Sequence, residues 1–410
     1  MQYVIIGNGI AGINAIEAIR ELDQSGEITL VGDETVLPYS RPMISYVLEG
    51  SQPPAHLAIR SEKFYDLMQV NPILGKRVSG VDVDARRIVL QDGRSFSFDR
   101  LLIASGADPR PLKAENVSLN HIFYMRTQEQ VRGQLQALGS ARQALVLGGG
   151  LVGFKAAYGL LKRGLKVTML ISSGYPLSLQ VDAIAGKMIL ERLHARGFEV
   201  QVGVSVQGFE GDGTVNAAIA DTGQRIACDM VIIGKGVNPA VDYLPRNRID
   251  VDLGVVVDPH LQSSFAGIYA AGDVAESIDI ARQQRWVNAI WPEAAVQGRI
   301  AGYNMAGRPV AYPGSLSRNV MRIYDLDVMT LGYANPGRDA SLRVLRSGGP
   351  RHGFYRSLVL RDRVLVGAIL INRIEQGGIL RALIENQVPI DLDPGELISP
   401  SFNYSRLLVA

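Results

Sequence analysis

The chain has 410 residues, 47% of them apolar and 20% charged, with a formal net charge of +2. That length predicts two to four domains, and the near-neutral balance carries no polyelectrolyte signal, so no nucleic-acid partner is expected. No apolar run reaches the roughly 18 residues of a membrane span and no leader pattern opens the chain, so a cytoplasmic location is expected.

Residues 3–6 (YVII) read as a strand that runs into Gly7-Asn8-Gly9-Ile10-Ala11-Gly12, and a helical pattern follows. Strand, G-x-G-x-x-G turn and helix together form the dinucleotide fingerprint. Gly7 permits the tight turn, Gly9 admits a pyrophosphate, and Gly12 lets the helix approach the strand. The helix N-terminus offers free N–H groups to the phosphates. Residues 27–31 (EITLV) are a second strand, closed by Gly32-Asp33-Glu34. An acid about 20 residues beyond the glycines is placed to hold a ribose; Asp33 is the first candidate and Glu34 the second.

Pro38 and Pro42 stiffen the segment 37–50 (LPYSRPMISYVLEG), in which Ser40 or Ser45 is a candidate cap for a short helix. Short strands are predicted at 78–83 and 87–90, with Asp92-Gly93 as a hairpin turn, then an apolar strand at 101–104. The first pattern then returns. Residues 144–153 (ALVLGGGLVG) are strand and glycine turn, a helix runs to about Lys162, and 166–170 (KVTML) is the next strand. Residues 230–233 end in Gly234-Lys235-Gly236, echoing 101–109. Self-similarity of this kind makes a chance match improbable. Residues 265–274 (FAGIYAAGDV) give a strand ending at Gly272-Asp273, a carboxylate placed for a ligand polyol. From about 312 the composition changes to twelve arginines, no lysine and nine acids, a local charge of +3. A hairpin at 357–371 and a helix at 374–386 make this a small α+β domain. Seven of its arginines fall between Arg338 and Arg363, a candidate docking patch for an acidic partner.

The lone Cys228 excludes an intramolecular disulfide, and the five histidines lack ligand spacing, so no metal is expected. The fold class is α/β: two Rossmann-like dinucleotide-binding domains, 1–110 with 243–311 and 111–242, plus a C-terminal α+β domain, 312–410.

Two fingerprints, the Gly272-Asp273 strand end, YSRPMISYVLEG and WVNAIWPEAAVQGRIA (286–301) resemble the two-dinucleotide-binding-domain flavoproteins. Within these, the resemblance is to the NADH oxidase, nitrite reductase and rubredoxin and ferredoxin reductase branch. It implies FAD in the first domain and a nicotinamide nucleotide in the second. Gly7, Gly9, Ala11 and Gly12 would cradle the FAD pyrophosphate and Asp33 its ribose. Arg41 and Pro42 would lie against the flavin, Val78 would touch the adenine, and Arg126 would reach the flavin region. Asp273, after Gly272, would bind the ribityl chain, with Trp291 and Pro292 near the ring. Gly148, Gly150, Leu151, Val152 and Gly153 would cradle the nicotinamide nucleotide, with Gly236 lining the cleft.

Three departures from that pattern carry information. No thiol stands near residues 39–46, so electrons must leave the flavin directly. Ile171 stands where an acid usually holds the nucleotide's ribose, followed by Ser172-Ser173, and with no cation waiting for a 2′-phosphate NAD is favoured over NADP. Tyr46 and Lys155 replace a lysine–glutamate pair at the flavin N5 side, and Lys155 is expected to pair with Glu49. The implied activity is an NAD(P)H:acceptor oxidoreductase that passes single electrons to a redox protein or iron–sulfur subunit. It stands alone, or as an oligomer or flavin subunit of a larger NAD-reducing complex, with the subunit reading slightly favoured. A peroxide-forming NADH oxidase and a non-catalytic nucleotide-binding flavoprotein remain alternatives.

Overall fold

The computed structural model describes residues 1–407; the last three residues of the expected C-terminal domain lie outside them. The described chain divides into two compact units, one of residues 1–42, 55–108 and 237–316, the other of 43–54, 109–236 and the described residues from 317 on.

The first unit is built on a five-stranded parallel sheet in the order Ile268–Ala270, Arg100–Ile103, Gln2–Ile6, Glu27–Gly32, Val70–Leu74. The central strand is apolar from Tyr3 to Ile6 because both its faces are covered. The helix Ile10–Leu22 buries Ile13, Ile16 and Ile19 completely, each contributing about 1.5–3 kcal/mol relative to exposure. A second helix, Trp291–Met305, crosses it at very short range. A Cβ on Gly298 would lie 2.1 Å from the Ala11 carbonyl oxygen, and one on Gly302 2.5 Å from that of Ala15. A small antiparallel sheet, Val78–Asp82, Arg87–Leu90 and Ser95–Ser97, carries the expected Asp92-Gly93 turn, with Gly93 at φ +85°.

The second unit repeats the plan. Its parallel order is Glu199–Val202, Lys166–Ile171, Gln143–Leu147, Met230–Ile233, Ile122–Tyr124. The register repeats as well. Ile6 lies between Val31 and Ile103, and Leu147 between Leu170 and Ile233. Position 148 therefore corresponds to 7, 171 to 32 and 172 to 33. This unit also contains a five-stranded antiparallel sheet in the order Arg318–Ile323, Leu326–Gly332, Val364–Ile371, Phe354–Arg361, Leu342–Gly349. The helix Gly377–Glu385 packs on it through Leu380, Leu383 and Ile384.

The helix in the 37–50 segment is Ile44–Glu49, and neither expected serine caps it. Its N-cap is Met43, with no side-chain bond. Ser45 is buried inside the helix, and the Ser40 amide donates to Leu57.

Candidate dinucleotide sites

In the first glycine turn, Gly7 stands at φ +121°, and a Cβ there would lie 2.0 Å from the Ala104 carbonyl oxygen. A Cβ on Gly12 would lie 2.2 Å from the Gly7 oxygen. Packing of the strand against the helix thus excludes any side chain at both positions. Gly9 is different. Its φ of −94° suits any residue, and no atom lies within 4 Å of where its Cβ would stand. The protein's own packing places no demand for glycine there, so the open space suits a group that must approach the backbone closely.

The second turn repeats this position by position. A Cβ on Gly148, at φ +115°, would meet the Gly234 oxygen at 2.3 Å, and one on Gly153 the Gly148 oxygen at 2.1 Å. Gly150, at φ −88°, has nothing within 4 Å. Neither Gly9 nor Gly150 gives its helix a side-chain cap, whereas the helices after Thr127 and Asp182 have one. The first N–H groups of the two glycine-led helices are therefore open to an anion. Leu151 and Val152 begin the second helix, with Val152 exposed. Both arrangements fit a dinucleotide pyrophosphate.

Around the first turn, Asn8 donates to the Val36 carbonyl at 3.2 Å and accepts from the Tyr65 hydroxyl at 2.9 Å. The two candidate acids then separate by use. Glu34 takes the Arg41 guanidinium at 2.6 Å and the Tyr39 hydroxyl at 2.8 Å. Burial works against the Arg41 charge, yet that phenol and carboxylate hold its pKa up. Asp33 is exposed and makes no hydrogen bond among the described residues. The amides of Gly75 and Lys76 donate to the carbonyls of Glu34 and Gly32, which fixes the approach to Val78. Gly272, at φ +84°, sits against Ala11, and its amide donates to Gln297 at 2.8 Å. Asp273 follows, half-buried. Trp291 and Pro292 open the Trp291–Met305 helix. Pro42 closes the 1–42 segment of this unit.

In the second unit, Gly234-Lys235-Gly236 lies beside Gly148, with Gly236 at φ +92° and open space beyond its Cα. Burial lowers the pKa of Lys235, against the pull of Asp221. Arg126 follows the edge strand Ile122–Tyr124 at the same carboxyl end of the sheet. The ribose position is altered. Ile171 is 1% exposed, and its side chain covers Gly149, where a Cβ would meet it at 2.7 Å. The first copy has the reverse arrangement, with Asn8 facing Gly32. Large and small residues have exchanged sides, and the exposed Ser172 takes the place that Asp33 has in the first copy.

The expected Lys155–Glu49 pair is not formed. Glu49 lies over Gly159, where a Cβ would be 3.2 Å from its amide nitrogen, and it takes Lys162 of the next turn at 2.6 Å. The Lys155 ammonium stands 5.6 Å from the Tyr46 ring centroid. Burial lowers its pKa. Cys228 is 2% exposed, and burial, then the Asp229 charge, pushes its thiol up to about 12. Among the described residues, no three His, Cys, Asp or Glu side chains are grouped to hold a metal ion.

Of the seven arginines between 338 and 363, two bond buried groups of the fold and a third sits in an exposed ion pair. Arg356 is buried on Tyr404, Arg346 is bound to Asp182, and Arg363 pairs with Asp391 at 3.0 Å. Sequence reasoning missed Gln297 and the exchange between Gly149 and Ile171. The Gly298–Gly302 spacing was a readable sign of the tight helix crossing.

The profile of the pyridine nucleotide-disulphide oxidoreductases matches residues 1–292. The chain belongs to this family. This oxidoreductase is 28% identical over 395 residues to subunit epsilon of the NADH-dependent phenylglyoxylate dehydrogenase of Aromatoleum evansii, covering 96% of this chain and 93% of that one. It is 31% identical over 316 residues to putidaredoxin reductase CamA of Pseudomonas putida, covering 75% and 74%. The solved structure of a covalent putidaredoxin reductase–putidaredoxin complex matches 100% of the oxidoreductase and 98% of its own chain, with a TM-score of 0.90 at 25% identity. Among the described residues, no helix of the oxidoreductase is long and apolar enough to cross a membrane.

Proposed function

We propose that this oxidoreductase is an FAD-dependent NAD(P)H:acceptor reductase whose redox partner is a protein carrying one-electron centres. One observation carries the reading: two copies of one turn, in each of which the middle glycine faces space that the protein itself leaves open. Gly7, Gly9, Ala11 and Gly12 hold the FAD pyrophosphate through helix amides. Asp33 holds the adenosine ribose, since Glu34 is committed to Arg41 and Tyr39. Arg41, Pro42, Val78, Arg126, Gly272, Asp273, Trp291 and Pro292 complete the cofactor's surroundings. Gly148, Gly150, Leu151, Val152, Gly153, Ser172 and Gly236 hold the nicotinamide nucleotide. Lys155 and Tyr46 tune the flavin electrostatically.

FAD when bound accepts a hydride from the nucleotide and can release electrons singly. The chain's residues bind and orient; none need act as general acid or base. Cys228 is too deeply buried, and its thiol too weakly acidic, to relay electrons. Similarity over nearly the full length to a subunit of an NADH-dependent dehydrogenase supports work inside a hetero-complex with NAD as the nucleotide; a cytoplasmic location belongs to the same proposal.

Anaerobic stopped-flow mixing of the FAD-loaded protein with NADH tests this. Rapid bleaching of the flavin is expected, with slow oxygen consumption in air. A flavin that NADH does not bleach would leave a non-catalytic binding protein. Fast peroxide formation without any partner would leave an NADH oxidase. Co-purification from the native source separates a complex subunit from a free-standing reductase.

A further inference from the structure

The segment 172–182 joins the strand Lys166–Ile171 to the helix Ala183–Ala195 and carries Ser172, the ribose position of the second copy. It is tied to the glycine turn itself, because the Leu177 amide donates to the Gly149 carbonyl at 2.8 Å. Leu177 makes this bond at φ +55°, a left-handed conformation that a leucine adopts only when its surroundings impose it. The segment is also held from the C-terminal antiparallel sheet and the loop that follows its strand Leu326–Gly332. The Asn335 side-chain amide donates to two carbonyls of the segment, Ser178 at 2.9 Å and Val181 at 2.8 Å. At the segment's end Asp182 caps the following helix through the Ala185 amide at 3.1 Å. The second oxygen of the same carboxylate accepts from the Tyr355 hydroxyl at 2.6 Å and from Arg346 at 3.2 Å. Asp182 is 9% exposed and Tyr355 1%, so water competes poorly for these bonds. A small cavity lined in part by Leu151, Leu177, Asn319 and Thr330 lies between this segment, the first residue of the nucleotide helix and the sheet.

We propose that Asn335, Arg346 and Tyr355 are positioning residues for the nicotinamide nucleotide: the C-terminal sheet latches the 172–182 segment in the shape that receives the adenosine half of the ligand. The proposal rests on assigning the nicotinamide nucleotide to Gly148–Gly153. The C-terminal sheet thereby becomes part of the nucleotide site. The latch acts through carbonyl and carboxylate groups and touches no reacting atom, so it sets affinity and leaves the chemical step alone.

The test uses the full-length, FAD-loaded protein with Asn335→Ala, Asn335→Asp and Tyr355→Phe. ADP-ribose, which lacks the nicotinamide, is the binding probe, and NADH with ferricyanide supplies kcat and KM. Losing one or two buried hydrogen bonds corresponds to roughly a 5- to 30-fold weaker Kd. KM for NADH is expected to rise in step, with kcat at saturation and FAD content held within about twofold of wild type. Asn335→Asp, which sets a carboxylate against two carbonyl oxygens, is expected to exceed Asn335→Ala. Unchanged ADP-ribose affinity in variants that keep their FAD overturns the proposal. So does a fall in melting temperature and FAD content with no change in nucleotide affinity. A wild-type protein that binds neither ADP-ribose nor NADH instead overturns the assignment of the nucleotide site itself. Tyr355→Phe keeps the ring and removes only the hydroxyl, so it remains readable if the Asn335 variants fail to fold.

Discussion

Substituting alanine at Gly7 and at Gly9 separates packing from ligand binding within one turn. At Gly7 the residue must hold φ +121° with its Cβ 2.0 Å from the Ala104 carbonyl oxygen. The backbone conformation alone costs about 1–3 kcal/mol. The contact lies far inside the roughly 3.5 Å of normal van der Waals approach, so the strand Arg100–Ile103 or the turn must move. Against a total stability of about 5–15 kcal/mol, Gly7→Ala should yield little soluble protein. At Gly9 the sign differs. The backbone already suits alanine, which lowers the entropy of the unfolded chain by about 0.4–1 kcal/mol. Alanine is a poorer N-cap than glycine by several tenths of a kcal/mol. These terms nearly cancel, so the melting temperature of the FAD-free Gly9→Ala protein should stay within about 3 °C of wild type. The added methyl occupies the open space, and FAD affinity should fall by at least ~10-fold, about 1.4 kcal/mol. Flavin absorbance per protein after gel filtration, together with apo-protein melting curves, measures both effects. A Gly9→Ala protein that retains stoichiometric FAD with unchanged Kd refutes the reasoning, because the open space would then not be where the pyrophosphate lies.

Gly150→Ala should weaken NADH binding to a similar degree while FAD stays bound, read as KM for NADH against flavin content. Ser172→Asp installs the acid that the first copy has at Asp33, and a charge-assisted bond of about 1.5–3 kcal/mol should raise the NADH-over-NADPH ratio of kcat/KM by ~10-fold or more; an unchanged ratio places the ribose elsewhere. For Cys228 the folded thiol titrates near 12, above its ordinary 9.0. Its contribution to stability is therefore fully present below pH 9 and lost as pH rises toward 12. Denaturant titrations should show the wild type losing about 1.4 kcal/mol per pH unit relative to Cys228→Ala across that window, and parallel curves would contradict the assigned shift. Lys155→Met should lower the flavin midpoint potential by about 30 mV or more, equivalent to roughly 1.4 kcal/mol for two electrons, and an unmoved potential removes Lys155 and Tyr46 from the flavin's environment.

The parallel-sheet cores were legible because their strands are continuous apolar runs punctuated by glycines whose spacing has a steric cause. Residues 3–6 with Gly7 and 144–147 with Gly148 needed no tertiary knowledge to be read, and the sheet orders followed the same logic in both copies. Other features depended on which side chains meet, and sequence spacing does not encode that. Lys155 and Lys162 lie on the same helix, and either suits Glu49 by charge; the close crossing at Gly159 decides for Lys162. Likewise Ser40 and Ser45 have the right chemistry for a cap, but the helix begins where neither faces its first amides.

The ribose position shows how far a pattern can be pushed. Read as a motif, Ile171 is an acid gone missing. Read through the register, position 171 matches Gly32, a residue that faces the glycine turn, and the exchange of Asn8 and Gly32 for Gly149 and Ile171 keeps one side chain and one glycine in contact beneath the turn. The isoleucine is then part of the packing that supports Gly148–Gly153. Ser172, the next residue, is the exposed side chain. A hydroxyl there donates or accepts, so it suits a ribose hydroxyl without repelling a phosphate. Under the proposed latch, nucleotide affinity in this chain depends on the shape in which the 172–182 segment is held. That shape is set by Leu177 bonded to Gly149 from one side and by Asn335 from the other.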